Sequence, residues 1–560
     1  MTGNVIISGC PIYLDATKEN TVQAIAIANG EICFTGTLEQ AEAFMAEDTK
    51  HIKLEGGCVL PAFMDGHVHA PGTWLDKLFG VALYDCVSEE QYLDEVRKAV
   101  KRNSDAKIIT GQGWENGFFY KDGKNIGPTR EMLDEISTEI PILLTSVDVH
   151  SMWLNSKAME LCGIDENTPD VHGGYIERYI DGTPSGTLRE EAQELAKALV
   201  RLYPPTKEQY KQAVLKFQEQ LHSLGIVGIV NMFFGSIAEE NAWQALGDLD
   251  REGKLKLRLN GVVNASPLDS PKDVIERVRS IRKDIEGTSL KLQTVKVFLD
   301  GVVEGKTAFL KQPYEKEAGM PEEYRSESIW SDFEISELTA ACDDFGLQMH
   351  FHTTGDAAVD QACRAVEYAR NLNGDKGNRH VITHLHVVDY ADIPRMASLG
   401  IMAVIQVYWH YREPLYFETL ELPYLGKERA EKQYPLASLL KAGMRVAAAS
   451  DCPVVTDVNP LNSIYTGVTR QGFLHEHRGK EEFTHNKDES VSLEKMLKMH
   501  TSGVAYEMGR EAQVGELCVG KRADMVILGS DIYSVTIDEI PDIPVKATVF
   551  DGKFVYTAEI

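Results

Sequence analysis

Two histidines separated by one residue are the first feature of this sequence with metal-binding chemistry. The segment PAFMDGHVHA, residues 61–70, places His67 and His69 directly after a small and apolar run. Alternate side chains of a β-strand face the same way, so the two imidazoles share one side of a strand and could hold one divalent ion. Taken alone, the pair also fits solvated or hydrogen-bonded histidines at a strand end.

Other predicted strand ends carry residues with similar chemistry. They are His350 and His352 in LQMHFHTTGD, His380, His384 and His386 in RHVITHLH, Asp451 in RVAAASDCP, and Lys296 in VKVFLDG. Each has an ordinary structural explanation, because strand lysines often lie at sheet edges, aspartates cap helices, and core histidines bond the backbone. Their joint occurrence at strand ends indicates an active site.

Eight apolar, β-rich runs would position these residues. The runs are VLPAFMDGHVH, VGIVNMFF, LRLNGVV, VKVFLD, LQMHFH, HVITHL, IMAVIQV and MRVAAASD. Stretches such as KEQYKQAVLKFQEQLHSLG lie between them, with apolar residues at helical spacing and a closing glycine. The pattern predicts an α/β protein with a (β/α)₈ TIM barrel over residues 61–505. The polar residues follow strands one, four, five, six and eight, and barrel active sites are assembled at such ends.

The two ends of the chain read differently from the barrel. Residues 1–60 and 506–560 contain short strand patterns with NG, GG and DG turns, which predict a small β-sandwich built from both termini. Two further strand-like runs, KIITGQGW and PILLTSVD, predict a large insertion of about residues 75–220 after the first barrel strand.

Charge and cysteine usage exclude several classes of partner. With 57 Lys and Arg against 85 Asp and Glu, the formal net charge of −28 disfavours nucleic acid and anionic membranes and favours a small neutral or cationic substrate. The nine cysteines form no CxxC pair, as expected for a reduced protein. No signal-like start or long apolar run is visible, so we expect a cytoplasmic protein. A homodimer stays an open alternative.

Several motifs occur in order along almost the whole chain. They are GHVH, PILLTSVDVHSMWLNSKA (141–158), GGYIERYIDGTPSGTLREEA (173–192), VKVFLDGVVEGKTAFL, HTTGDAAVD, RHVITH, ASDCPV and VGELCVGKRADMVIL. Together they resemble the amidohydrolase superfamily, and within it the YtcJ-like branch that includes N-substituted formamide deformylases. The resemblance implies a metal-containing barrel with a small β-sandwich from both termini.

The resemblance also implies a set of metal ligands. These are His67, His69 and Asp451 for a first ion, His352 and His384 for a second, and Lys296 as a bridge after carboxylation. A carbamate suits that role because it is an anionic ligand with two oxygens, whereas an ammonium group repels a cation. Zinc is the expected metal, with manganese, iron and nickel as alternatives, and either one or two ions bind.

The same resemblance predicts a metal-dependent hydrolase of a non-peptide carbon–nitrogen bond, acting on an N-formyl or N-acyl amide of a small molecule. The nucleophile would be a metal-activated hydroxide, and Asp451 would carry the proton to the leaving nitrogen. One alternative is a deaminase of a cyclic amidine or aminated ring with a single metal and no lysine bridge. Another is a catalytically silent binding homologue, in which lost ligands would be expected.

Weaker candidates lie inside and outside the predicted insertion. Trp114 and His150 are predicted substrate contacts, with a core tryptophan and a loop hydrogen bonder as the alternatives. Arg379 and His380 precede His384 closely and could orient that ligand. His350 could be a neighbouring contact or a packed residue, and the sequence assigns no role to His386.

Overall fold

The computed structural model describes residues 5–558 except 46, 116–117, 122–123, 126, 148–150, 172–173, 233–238, 286 and 288. The chain forms two compact units. The first contains Met1–Ala70, Gln218–Phe234 and Leu249–Ile560, and the second contains Pro71–Phe217 and Gly235–Asp248. The second unit overlaps the predicted insertion, while the exact domain boundaries stay a prediction.

The β-strands are numbered in chain order. They are β1 Val5–Tyr13, β2 Thr21–Ala28, β3 Glu31–Gly36, β4 Lys50–Lys53, β5 Cys58–Pro61, β6 Phe63–Val68, β7 Val81–Ala82, β8 Ile109–Trp114, β9 Tyr120–Lys121, β10 Lys124–Asn125, β11 Ile142–Ser146, β12 Ser151–Leu154, β13 Gly174–Arg178, β14 Pro184–Glu190, β15 Ile226–Asn231, β16 Arg258–Asn264, β17 Leu290–Phe298, β18 Gln348–Thr353, β19 Val381–His384, β20 Met402–Ile405, β21 Val446–Ala448, β22 Met525–Leu528, β23 Val545–Phe550 and β24 Lys553–Thr557.

The α-helices alternate with most of the strands. They are Leu38–Glu42, Trp74–Phe79, Glu89–Arg102, Arg130–Asp134, Ser156–Cys162, Glu194–Leu202, Lys207–Ser223, Glu239–Arg251, Pro271–Asp284, Asp332–Asp344, Asp356–Asn373, Ile393–Ser398, Pro414–Tyr416, Leu422–Leu425, Lys427–Glu431, Leu436–Lys441, Pro460–Thr469, Leu493–Lys498 and Val504–Glu507. Among the described residues, none of these helices combines the length and hydropathy that crossing a bilayer requires.

The first unit contains an eight-stranded parallel sheet with the order β6-β15-β16-β17-β18-β19-β20-β21. Its strands are almost entirely buried, as expected for parallel strands covered on both faces. Hydrogen bonds join the end of β6 and the residue after it to the segment that follows β21: Asp451 N donates to His67 O at 2.8 Å, and His69 N donates to Cys452 O at 2.8 Å. The predicted α/β fold is therefore confirmed, with its eight parallel strands forming a near-closed barrel sheet.

A second sheet of the first unit combines strands from both ends of the chain. Its order is β24-β23-β22-β5-β1-β2-β3, with β4 paired to β1. The inner face buries aliphatic residues from both ends, including Ile7, Ile25, Met525 and Val549. The description of this region as a β-sandwich stays a prediction.

The second unit is built on a six-stranded sheet with the order β13-β14-β12-β11-β8-β7. Large aromatic side chains fill one of its cores, among them Tyr92, Trp114, Phe119 and Trp153. Burying such rings supplies much of the hydrophobic stabilisation of a small unit.

Candidate metal centre

Six polar residues converge at the carboxyl ends of the barrel strands of the first unit. They are His67 in β6, His69 just after it, Lys296 in β17, His352 in β18, His384 at the end of β19, and Asp451 three residues after β21. All six side chains are buried. The structure thus brings together every residue that the sequence proposed as a metal ligand.

Asp451 lies at the middle of this group. Its Oδ1 atom is 3.2 Å from His67 Nε2 and 3.1 Å from His69 Nε2. Ligand atoms of His67, His384 and Asp451 all lie within 4.8 Å of one another. Lys296 Nζ is 3.4 Å from His67 Nε2. These donor atoms therefore lie close enough together to bind a metal ion.

The two histidines from β18 and β19 use the same ring atom, Nδ1, to contact a side-chain oxygen. His352 Nδ1 lies 3.2 Å from Asp300 Oδ1, and His384 Nδ1 lies 2.8 Å from Gln406 Oε1. Each Nδ1–H can donate to its oxygen partner, which leaves the Nε2 lone pair for a metal. The ring centroids of His352 and His384 are 4.5 Å apart.

The carboxylate that holds His352 is itself fixed by the backbone. Asp300 accepts hydrogen bonds from Phe309 N at 3.0 Å, Thr354 N at 3.0 Å and Gly355 N at 2.8 Å. Burial raises the pKa of Asp300 to about 7, against the lowering effect of these amides. Such a rigid acceptor fixes both the ring orientation and the tautomer of His352.

The electrostatics of the group match the needs of a cation. Burial lowers the pKa of His67 and His384 well below the ordinary range, and neighbouring positive groups add to the effect. Burial raises the pKa of Asp451, but the hydrogen bond with His69 and nearby positive groups outweigh it and hold that pKa below its usual value. Neutral imidazoles with an anionic carboxylate are the donor set that Zn²⁺ and similar ions bind. The residues present therefore fit a divalent metal.

Lys296 is the unusual member of the group. The side chain is fully buried, and burial lowers its pKa to about 7, although Asp451 opposes that shift. The position of Nζ beside His67 Nε2 would serve a bridging ligand, but a carbamate on Lys296 stays a prediction.

Two of the proposed ligands have an uncommon backbone conformation. His384 and Asp451 have φ angles of 70° and 62°, the left-handed region that non-glycine residues rarely adopt. Such conformations persist where the surrounding structure enforces them, and they are frequent at active sites. In this conformation, the side chains of His384 and Asp451 lie close to that of His67.

The predicted substrate contact Trp114 lies in the second unit. Its side chain is fully buried, its indole N–H donates to Leu144 O at 2.8 Å, and its ring packs edge-on against Phe119 and Trp153. These contacts favour the core alternative, and a role in substrate binding stays a prediction. The second candidate, His150, lies outside the described residues.

The residues just before His384 have partners elsewhere. His380 Nε2 donates to Asp343 Oδ1 at 3.1 Å, while its Nδ1 accepts from Met349 N at 3.1 Å. Arg379 forms an ion pair with Glu511. Gln406 is the residue whose side chain contacts His384 Nδ1, and a role for Arg379 or His380 in orienting that ligand stays a prediction.

Sequence reasoning missed four residues around the site. They are Asp300, Gln406, Phe298 and Trp409. Phe298 is 39% exposed and its ring centroid lies 4.8 Å from that of His352, while Trp409 stacks on His384 at 5.7 Å. Phe298 and Asp300 follow Lys296 at intervals of two residues in VKVFLD, so strand alternation could have predicted that they lie on the same side as Lys296.

Comparisons with known proteins agree with this geometry. A sequence model of the amidohydrolase family matches residues 50–556. YtcJ of Bacillus subtilis (strain 168) is 26% identical over 97% of this chain and 98% of its own, and the N-substituted formamide deformylase of Arthrobacter pascens is 26% identical over 96% of both chains. The crystal structure of an uncharacterized metal-dependent hydrolase from Pyrococcus furiosus superposes with a TM-score of 0.72 at 26% identity, covering 94% of this chain and 99% of that one.

The predicted resemblance to the YtcJ-like branch is therefore confirmed. The family model spans all the barrel strand ends described above and the terminal strands from β4 to β23. This chain belongs to the amidohydrolase family and is a hydrolase that acts on carbon–nitrogen bonds.

Proposed function

We propose that this protein is a metal-dependent hydrolase that cleaves the non-peptide carbon–nitrogen bond of an N-formyl or N-acyl amide in a small molecule. The observation that carries the proposal is the convergence of two buried imidazole nitrogens, those of His67 and His69, on Asp451 Oδ1, with Lys296 Nζ 3.4 Å from the His67 nitrogen. The amide class of substrate is further supported by the similarity to an N-substituted formamide deformylase.

The proposed ligands follow the family resemblance, and the donor set supports them. His67, His69 and Asp451 would hold one divalent ion, and His352 and His384 a second, with carboxylated Lys296 between them. Zinc suits imidazole and carboxylate donors. When bound, a divalent ion supplies Lewis acidity toward the carbonyl oxygen and lowers the pKa of a water molecule.

A side chain of this protein then transfers the proton from water to the leaving nitrogen. Addition of water to the amide carbon and cleavage of the carbon–nitrogen bond give a carboxylic acid and an amine, so one proton has to travel from water to nitrogen. Asp451 accepts that proton and delivers it, because its carboxylate lies among the ligand atoms where the reacting groups meet. His69 Nε2 lies 3.1 Å from Asp451 Oδ1, so the imidazole and the carboxylate would face the same ion.

A second candidate function rests on a smaller constellation. His67, His384 and Asp451 lie close enough to hold a single ion without the lysine. One ion and a free amine on Lys296 would favour the deamination of a cyclic amidine or aminated ring.

Product analysis separates these two functions. We expect protein purified without chelator to release amines from N-formyl or N-acyl amines, to lose that activity on metal removal, and to regain it with zinc. The measurement is amine release beside ammonia release from a panel of aminated rings. Ammonia release alone would replace the amide hydrolase with the deaminase, and failure to act on either panel with metal bound would contradict both.

A further inference from the structure

A second histidine of β18 lies deeper in the barrel than the proposed ligands. His350 is fully buried and pairs in register with Lys296 of β17. Its Nε2 atom is 3.1 Å from His67 Nδ1, the ring nitrogen that faces away from Asp451. His350 Nδ1 has no hydrogen-bond partner among the described residues. The ring therefore touches a proposed ligand on one side and has an unmet polar atom on the other.

The unmet atom faces a buried carboxyl group. Glu507 Oε1 lies 3.8 Å from His350 Nδ1, and neither oxygen of Glu507 has a hydrogen-bond partner within the described part of the chain. Both side chains are 0% exposed. Burying a carboxyl group without hydrogen-bond partners costs folding free energy. The position of Glu507 beside the proposed metal centre therefore indicates a functional role.

The local structure makes room for this carboxyl group. A Cβ atom at Gly66 would lie 2.5 Å from Glu507 Oε2, so a larger residue at that position would displace the carboxyl group. From the other side, Gln348 Nε2 donates to Glu507 O at 3.2 Å and fixes the backbone of the helix end. Glu507 is thus enclosed between β6 and β18, pointing at His350.

We propose that Glu507 is a positioning residue that acts through His350 to orient His67 for metal binding. This inference rests on the proposed metal site. Glu507 accepts the Nδ1–H of His350, so His350 Nε2 accepts the Nδ1–H of His67. The Nε2 lone pair of His67 then faces Asp451 and Lys296. Closing the 3.8 Å gap to hydrogen-bond distance takes about 1 Å of side-chain movement.

One other acceptor lies near the same ring atom. Thr383 Oγ1 is 3.3 Å from His67 Nδ1, and its own hydroxyl donates to Val404 O at 2.9 Å. Thr383 supports the same tautomer of His67, but it does not fix the ring of His350. Glu507 remains the group that sets the direction of the His350 hydrogen bonds.

Metal affinity tests the relay without relying on turnover. We expect Glu507→Leu to raise the zinc dissociation constant about 10–100-fold, the usual cost of losing a partner that orients a ligand. Glu507→Gln keeps an acceptor oxygen and should stay close to the unmodified protein. Met508→Leu, a change of similar size at the adjacent buried residue, is the matched control and should leave the affinity unchanged. Competition with a chromophoric chelator measures all four proteins, and Co²⁺ absorption reports the ligand geometry.

Coupling to His350 distinguishes the relay from a general packing effect. In a His350→Leu background, Glu507→Leu should cause no further loss of zinc affinity, because the route to His67 is already broken. Should Glu507→Leu fail to fold, Glu507→Met is judged by the same criterion.

The outcomes separate the two proposals. Equal zinc affinity in the apolar Glu507 variant and the unmodified protein, or additive losses in the double variant, would overturn the positioning role alone. An unmodified chain that binds no divalent metal would overturn the proposed function and the relay with it.

Discussion

Replacing Asp451 by asparagine is expected to lower kcat by about 10²–10⁴-fold, the usual contribution of a group that transfers a proton in the transition state. Asparagine has the same shape and keeps an oxygen toward His67 and His69, which contact Asp451 Oδ1 at 3.2 and 3.1 Å. It cannot accept a proton from water. Steady-state turnover on the best substrate from the product screen is the measurement, with metal content and thermal unfolding recorded on the same preparation.

A buried carboxylate away from the site provides the control for Asp451→Asn. Asp343 is buried and hydrogen-bonds His380, and asparagine there keeps an acceptor oxygen. We expect Asp343→Asn to leave kcat within a few-fold of the unmodified protein. Turnover that survives Asp451→Asn with full metal content would contradict the proton-transfer role. A lost metal would instead assign the defect to coordination.

Replacing Lys296 by alanine is expected to lower bound metal from about two ions per chain to one or none. Lys296 Nζ lies 3.4 Å from His67 Nε2, and only a carboxylated side chain supplies two oxygens for a pair of ions. Elemental analysis of protein purified without chelator gives the stoichiometry. Depleting bicarbonate during metal loading should have the same effect in the unmodified protein, because carbon dioxide forms the carbamate.

Lys296→Met serves as the matched variant, since it keeps most of the buried side-chain volume without the amine. It should lose metal as Lys296→Ala does, whereas a loss in the alanine variant alone would indicate a packing defect. One ion in every variant would remove Lys296 from the site and favour the single-metal deaminase. If neither the unmodified protein nor the Lys296 variants contained a metal ion, His67 and His69 would be ordinary buried histidines and not ligands.

The sequence by itself determined the barrel strands and the residues at their ends. Continuous apolar runs mark buried parallel strands, and alternation within a strand is a local property that places His67 with His69, or Lys296 with Phe298. Because parallel strands of a barrel end on the same face, the polar residues could be assigned to one site before any contact was known. Motif order along the chain identified the family.

Only the tertiary structure decided which atoms face each other. Asp300, Gln406 and Glu507 contact histidines that are 52, 22 and 157 residues away in the chain, the last from 507 − 350. His350 and His352 share one face of β18, and only strand register places the first against His67 and the second beside Asp300. Strand pairing and barrel closure set such distances through packing across the whole chain, and local periodicity carries no information about them.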